Sequence, residues 1–259
     1  MSDASTAADE FPEHIVAFVD MLGFANAVMS GEGATHIVQL LRSLKEISGD
    51  FWIETKKMDD GSARSLVRPA VTAFSDSIVI SYPIQAGGIE IVTAILFMQK
   101  LIGFVAWNAL EVGLLIRGGI AIGPLYHHDG VVVGPAMIEA YRLESAVAVY
   151  PRVVLNPNVS ERAGVTSTAG LVTFDQDGLA VLDYMRGAVL RLRPAQNFNV
   201  QEIVPWAVRL RELTAKNIAN YRAAGDLARE LKWRRFASDL EYRIARLPPG
   251  LTVGEHRLP

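Results

Sequence analysis

The longest apolar stretch of the chain, Ile89 to Ile116, separates two very different kinds of protein. A membrane span needs about 20 residues largely free of charge. Here Glu90, Gln99, Lys100, Asn108 and Glu111 interrupt the run. A buried helix leading into a buried strand accommodates both the length and the interruptions. The stretch therefore predicts a globular core and no membrane partner. Met1 to Glu13 is small, polar and acidic, without the basic and apolar regions of a secretion signal, so a cytoplasmic location is expected.

A chain of 259 residues fits one large domain, or one domain with a sizeable extension. The absence of cysteine removes disulfide scaffolds, Cys-zinc sites, iron–sulfur clusters and thiol nucleophiles together. A net charge of −3, from 25 Lys+Arg and 28 Asp+Glu, argues against a dedicated nucleic-acid binder.

Punctuation along the chain divides it further. His14 to Asp20 is a β-branched and aromatic run, read as a strand, and a helical pattern follows from about Ala25 to Ser48. Lys56 to Arg64 reads as a loop or hairpin tip with Asp60-Gly61 as its turn. Pro69 to Phe74 and Ser77 to Tyr82 read as two strands facing each other across Ser75-Asp76, and Gly87-Gly88 opens a helix over about Ile89 to Leu110. Gly113 to Ile122 is a buried strand, and Pro124–His127 with Val131–Val133 is a hairpin. Pro135 suits the first turn of a helix running to about Val147. Arg152 to Leu155 is a short strand, Asn156 to Phe174 is mixed, and Leu179 to Leu192 holds one or two strands. The interleaving predicts an α+β fold, a mainly antiparallel sheet with helices on one face.

From Val200 to Leu247 the composition turns to long helix, with a break at Gly225-Asp226. Ten Lys/Arg stand against five Asp/Glu between Arg209 and Arg246. The solvated face of an amphipathic hairpin explains that excess, and a nucleic-acid arm is the alternative. The expected division is an acidic, disordered tail over 1–13, a main domain over 14–198, a helical extension over 199–247, ended by Pro248-Pro249-Gly250, and a loose tail over 248–259.

Two acids stand out because apolar sequence borders them. Asp20 ends the first strand, and Asp76 sits where two strands meet. Such carboxylates need a partner for their charge. If the first strand lies beside the hairpin, the two acids meet at the sheet end and repel unless a cation or a proton intervenes. Oxygen ligands suit Mg²⁺ or Mn²⁺. The alternative is that each Asp only caps a turn.

Arg117, in an apolar strand beside Gly118 and Gly119, wants an acid or a phosphate, or is a strand-end arginine with a structural carboxylate. Arg142 lies on a short helix, four residues after Ile138 and on the same face. It would neutralise charge developing on a phosphate, or it pairs with Glu139 or Glu144. His127-His128-Asp129 could hold a metal, but a solvated hairpin tip explains the histidines better. Ser75 and Ser77 have no base at a meaningful spacing, and neither a Gly-x-Ser-x-Gly elbow nor a Walker loop occurs.

Four segments together, Phe18–Phe24 (FVDMLGF), Phe74–Ser77 (FSDS), Leu114–Gly123 (LLIRGGIAIG) and Gly134–Ser145 (GPAMIEAYRLES), resemble in order and separation the catalytic domain of the class III nucleotide cyclases. The resemblance covers about Ile15 to Leu155. It implies a ferredoxin-like palm and a head-to-tail homodimer with active sites at the interface. It also implies two divalent ions held by Asp20, Asp76 and the Met21 carbonyl, and Phe24 along the triphosphate. Arg142 matches the arginine that stabilises the transition state. The implied reaction is attack of the ribose 3′-hydroxyl of an NTP on its α-phosphorus, releasing pyrophosphate.

Departures qualify the match. The ribose-orienting asparagine is replaced by Ile138, and the purine-selecting pair falls near Thr72 and Val131, which lack the usual code. Together with the compact chain, this is similar to the bacterial pyrimidine cyclases of the Pycsar anti-phage systems. That similarity implies cyclic UMP or cyclic CMP as product and a separate effector activated by it. A purine cyclase and a catalytically silent nucleotide-binding module are the alternatives. Arg68 and Arg117 are candidates for reading a pyrimidine carbonyl.

Overall fold

The computed structural model describes residues 11–31, 33–50, 53–56, 64–84, 88–164, 170–185 and 203–245. In chain order its elements are β1 (Glu13–Leu22), α1 (Phe24–Met29), α2 (Ala34–Ser48), β2 (Ile53–Lys56), β3 (Arg64–Val67), β4 (Ala70–Phe74), β5 (Ser77–Pro83), α3 (Gly88–Glu111), β6 (Leu115–Pro124), β7 (Tyr126–His128), β8 (Val131–Val133) and α4 (Pro135–Arg142). A π-helical turn (Leu143–Val147), β9 (Val153–Leu155), α5 (Pro157–Ala163), β10 (Val172–Phe174), β11 (Ala180–Leu182), α6 (Ile203–Ala223) and α7 (Leu227–Ile244) follow.

Seven strands form one sheet in the order β10-β11-β9-β6-β1-β5-β4. The run β6-β1-β5-β4, with every neighbouring pair antiparallel, is built from two βαβ units that split around each other. That is the ferredoxin-like arrangement. Strand β9 adds in parallel to β6, and the β10–β11 hairpin extends the same edge. β1 earns its central place by composition: Ile15, Val16, Ala17, Phe18 and Val19 are all buried, so both its faces are covered.

Alternation along β1 splits the core in two. Ile15, Ala17, Val19 and Met21 pack with residues of α2 and α3. Val16 and Phe18 face the other way and pack with Ala136 and Ala140 of α4. Helices therefore cover both faces, not one as the element order alone suggested; the short α4 lies over the second face. Gly119 permits this approach, because a Cβ there would lie 2.3 Å from the Ala140 carbonyl oxygen and 2.5 Å from Leu143 Cβ.

By length and composition alone, Ile91–Glu111 could cross a membrane. Its burial shows a core helix instead. Ile91, Ala94, Ile95, Met98, Leu101, Ile102, Val105 and Ala109 are all buried and recur at three- and four-residue intervals. Gln99, also buried, satisfies its side-chain amide by donating to the carbonyls of Gly170 and Asp183 at 2.9 and 2.8 Å.

Several boundaries move. The helix expected from Ala25 to Ser48 is two helices, separated where Gly31 and Gly33 take left-handed φ of 75° and 83°. The helix expected to reach Val147 ends its α geometry at Arg142 and continues as the π-helical turn. The acidic segment gives way to packed structure before Glu13: the Phe11 ring lies 6.2 Å from that of Tyr126, and Pro12 O accepts from Leu125 N–H. The Asp60-Gly61 turn, Gly87, the second strand near Leu192 and the Pro248-Pro249-Gly250 stop lie outside the described residues.

The C-terminal hairpin breaks where expected. Gly225 has φ 70° and Asp226 caps α7, its side chain accepting from Arg229 N–H at 3.1 Å. Trp233, Phe236 and Leu240 bury into the main core, so these helices are part of the packed body. Their basic excess is largely consumed by ion pairs. Arg209 meets Glu111, Arg211 meets Glu241, Arg222 and Arg234 share Glu230, Arg235 meets Asp175, and Arg243 meets Asp183.

Candidate functional site

The second face of the sheet holds the acids. Asp20 follows Phe18 in the alternation, so it shares the α4 face, where Ser77 of β5 and Arg117 of β6 are its register neighbours. Asp76 occupies the β4–β5 turn, next to Ser75, whose φ of 53° is a left-handed conformation unusual outside glycine. The turn is hooked to β1 by a hydrogen bond in which Met21 N–H donates to the Asp76 carbonyl at 2.9 Å. The sheet therefore brings Asp20, Met21 and Asp76 to one end, as the sequence predicts.

Arg117 and a residue that sequence reading named only as an alternative partner of Arg142 complete the cluster. Arg117 Nε donates to Asp20 Oδ2 at 3.2 Å. The same Nε lies 2.6 Å from Oε1 of Glu144, in the π-helical turn. Glu144 is 2 % exposed, and its Oε1 has the ion pair but no aligned hydrogen bond. Arg117 is thus the strand-end arginine paired with carboxylates, and Glu144 is not a partner of Arg142.

Burial raises the Asp20 carboxyl above the usual carboxylate range, against the pull of Arg117, with Asp76 pushing the same way as burial and Lys232 of α7 opposing. Glu144 is raised for the same first reason, again against Arg117, with Asp20 and Asp76 adding to the rise. Two carboxylates share one guanidinium, and a third, Asp76, is near enough to act on both, as is the Lys232 ammonium on Asp20. Such a site carries an excess of negative charge that a bound cation would relieve. The donor set is all oxygen and suits a hard divalent ion. Among the described residues no group of three His, Cys, Asp or Glu side chains is arranged as a preformed metal cage. Asp20, Asp76 and a backbone carbonyl fit such ions only with substrate or water oxygens completing the shell.

Arg142 is exposed at the end of α4 and has no ion pair among the described residues. Glu139, its other expected partner, instead accepts from the Asn156 side chain at 2.9 Å. Ile138, one turn earlier, is 54 % exposed. Phe24 packs against the α2–α3 core, and Arg68 is exposed between β3 and β4.

The histidine pair departs from the expected solvated tip. His128 is exposed and pairs with Asp129 at 3.1 Å. His127 is buried, bridging Thr72 Oγ1 at 2.9 Å and Ser81 Oγ at 2.8 Å. Thr72 is therefore already engaged within the fold, while Val131 is 52 % exposed. The spacing of Thr72, Ser81 and His127 in sequence gives no sign of this bridge, since only the β4–β5 register and the β7 hairpin bring them together.

A cavity of about 210 Å³ lies elsewhere, between β11 and α7, lined among others by Arg152, Phe174, Tyr184, Phe236, Asp239 and Arg243. None of the residues nominated from sequence lines it. Its charged groups are already engaged in ion pairs such as Arg152–Asp175 and Arg243–Asp183.

Fold and site together define an α+β protein with a ferredoxin-like sheet and an acidic cluster at one end of it. No family model matches the chain, and no curated protein matches it. Among solved structures, a bacterial light-regulated adenylyl cyclase is similar at 15% identity with a TM-score of 0.37, over 77% of this chain and 57% of that one. This chain thus matches a little over half the length of that protein.

Proposed function

We propose that the protein is a metal-dependent nucleotide cyclase acting on an NTP, with a pyrimidine NTP as substrate. The observation that carries the proposal is the meeting of Asp20 and Asp76 at one sheet end, in the chain order of the motifs quoted above, with Arg142 exposed and uncommitted on α4. In this reading Asp20, Asp76 and the Met21 carbonyl hold two Mg²⁺ or Mn²⁺ ions. These ions would neutralise the triphosphate and lower the pKa of the attacking hydroxyl. Arg142, reaching from α4, would pair with charge developing on the phosphate oxygens. The new bond joins O3′ to the α-phosphorus, the bond from that phosphorus to pyrophosphate breaks, and the hydroxyl proton passes to solvent.

The pyrimidine preference rests on the base-reading positions. Thr72 is tied to His127, and Val131 offers no side-chain hydrogen bond. The exposed apolar residues Phe74, Val131, Val133, Ile138 and Tyr141 suit coverage by a second copy in a homodimer, with the site at the interface. By resemblance the cyclic product would activate a separate effector in anti-phage defence. Exposed Ile138 in place of a ribose-orienting amide favours one second reading, a nucleotide-binding module without turnover.

Incubating the protein with each of the four NTPs and Mn²⁺ tests this directly. A 3′,5′-cyclic product from UTP or CTP is expected, with Asp76→Ala lowering it on the order of 10²–10³-fold while circular dichroism is unchanged. Product from ATP or GTP alone overturns the pyrimidine assignment. NTP binding by calorimetry with no product from any nucleotide overturns the enzyme assignment and supports the silent module.

A further inference from the structure

Arg117 stands where a metal-binding carboxylate would not ordinarily want a fixed cation. Its Nε donates to Asp20 at 3.2 Å, so Asp20 already has a cationic partner within the fold. Yet 2.6 Å from the same nitrogen lies Glu144 Oε1, buried and without an aligned hydrogen bond. A buried acceptor left in that state is costly, and a small reorientation of the guanidinium satisfies it. Backbone holds both alternatives in place. Arg117 and Asp20 are register partners on adjacent strands, and Glu144 is fixed against the sheet where the π-helical turn closes over Gly119.

We infer that Arg117 is a tethered counter-cation that hands over from Asp20 to Glu144 when a divalent ion binds. It rests on the metal-site reading of Asp20 and Asp76. Without an ion, the hydrogen bond from Arg117 holds the Asp20 side chain in place and counters its repulsion from Asp76. With the ion on Asp20, the guanidinium turns its hydrogen bond to Glu144 and stays paired throughout. Glu144 is thereby a positioning residue: it touches no reacting atom and sets the cost of vacating Asp20. Lys232 of α7 is a second cation acting on Asp20.

The test is a double-mutant cycle read by Mn²⁺ binding, using calorimetry or Mn²⁺ electron paramagnetic resonance on the full chain without nucleotide. Glu144→Gln keeps the shape and removes the acceptor's charge, and Mn²⁺ affinity is expected to fall on the order of tenfold. Arg117→Met removes the competitor, and affinity is expected to rise by a similar factor. The decisive arm is Arg117→Met/Glu144→Gln. With no guanidinium to receive, Glu144→Gln should cost little in that background, whereas a simple long-range charge effect costs the same in both. Glu144→Asp should recover part of the lost affinity. Equal costs of Glu144→Gln in the two backgrounds overturn the handover while leaving the metal site standing. Mn²⁺ binding that is absent, or indifferent to Asp20→Asn, overturns the metal site and the handover with it. A melting curve for each variant, run without metal, separates loss of folding from loss of affinity.

Discussion

Replacing Gly119 by alanine tests whether the acidic cluster depends on how closely α4 can approach the sheet. The added Cβ would sit 2.3 Å from the Ala140 carbonyl oxygen, 2.5 Å from Leu143 Cβ and 3.1 Å from Glu144 N, where ordinary contact begins at 3.4 Å. None of these atoms is the far end of a flexible side chain, so α4 and the π-helical turn must lift off β6. Overpacking a well-filled core costs about 1–3 kcal/mol, and a clash this close belongs at the top of that range. At about 2–4 °C per kcal/mol for a chain of this size, Gly119→Ala should melt about 6–12 °C below the wild type. Gly123→Ala, on the same strand, is the control: its Cβ would meet Ala136 Cβ at 3.5 Å, and it should melt with the wild type. Neither glycine has a left-handed backbone, so the two differ only in the room available. Differential scanning fluorimetry of both proteins reads the difference. Equal melting temperatures for the two variants would refute the packing argument, and with it the idea that Glu144 is placed by that approach.

Two further outcomes follow from the fold. His127 has its pKa drawn down from 6.5 to about 4, first by burial and then by the nearby His14. Its folded form binds fewer protons than its unfolded form, so its stabilisation is complete above pH 6.5 and is lost as pH falls toward 4. Melting temperature should therefore fall more steeply between pH 6.5 and 4 in the wild type than in His127→Gln, and parallel profiles would contradict the assignment. Phe236, 2 % exposed and edge-on to Trp233 at 5.8 Å, fixes α7 to the main core. Phe236→Ala should cost about 3–5 kcal/mol and lower a single cooperative melting transition; separate melting of the C-terminal helices by circular dichroism would show that they form an independent unit.

What the sequence disclosed and what it hid have different physical origins. The strands around Asp20 and Asp76 were legible because short β-branched runs bounded by turn residues have few alternatives, as in β5 after Ser75-Asp76. The core helix α3 was legible from its interrupted apolar run. The second face was not, because α4 is short and its two buried alanines, Ala136 and Ala140, carry little hydrophobic signal. The His127 bridge depends on the register of three separated strands, which no local pattern specifies. Glu144 illustrates the same limit: two residues beyond Arg142 it reads as a nearby ion-pair partner, whereas in the fold it lies in the π-helical turn and pairs with Arg117. The double glycine at 118–119 was the available hint, since it marks a place where another backbone comes close.

The central position of β1 has a consequence for how the chain is made. β1 precedes both of its neighbours by a wide margin: β5 begins at Ser77, and Asp20 meets Arg117 across 97 residues. At about 5–20 residues per second, some 5–20 s of synthesis separate the strand from its second partner. For part of that interval β1 has neither neighbour; β5 then covers one edge, and the other stays open until β6 emerges. Burial on both faces, the property that makes β1 the axis of the finished sheet, leaves it open to mispairing on the ribosome until then. A nascent-chain binder covering Ile15 to Val19 until β6 emerges would limit that mispairing.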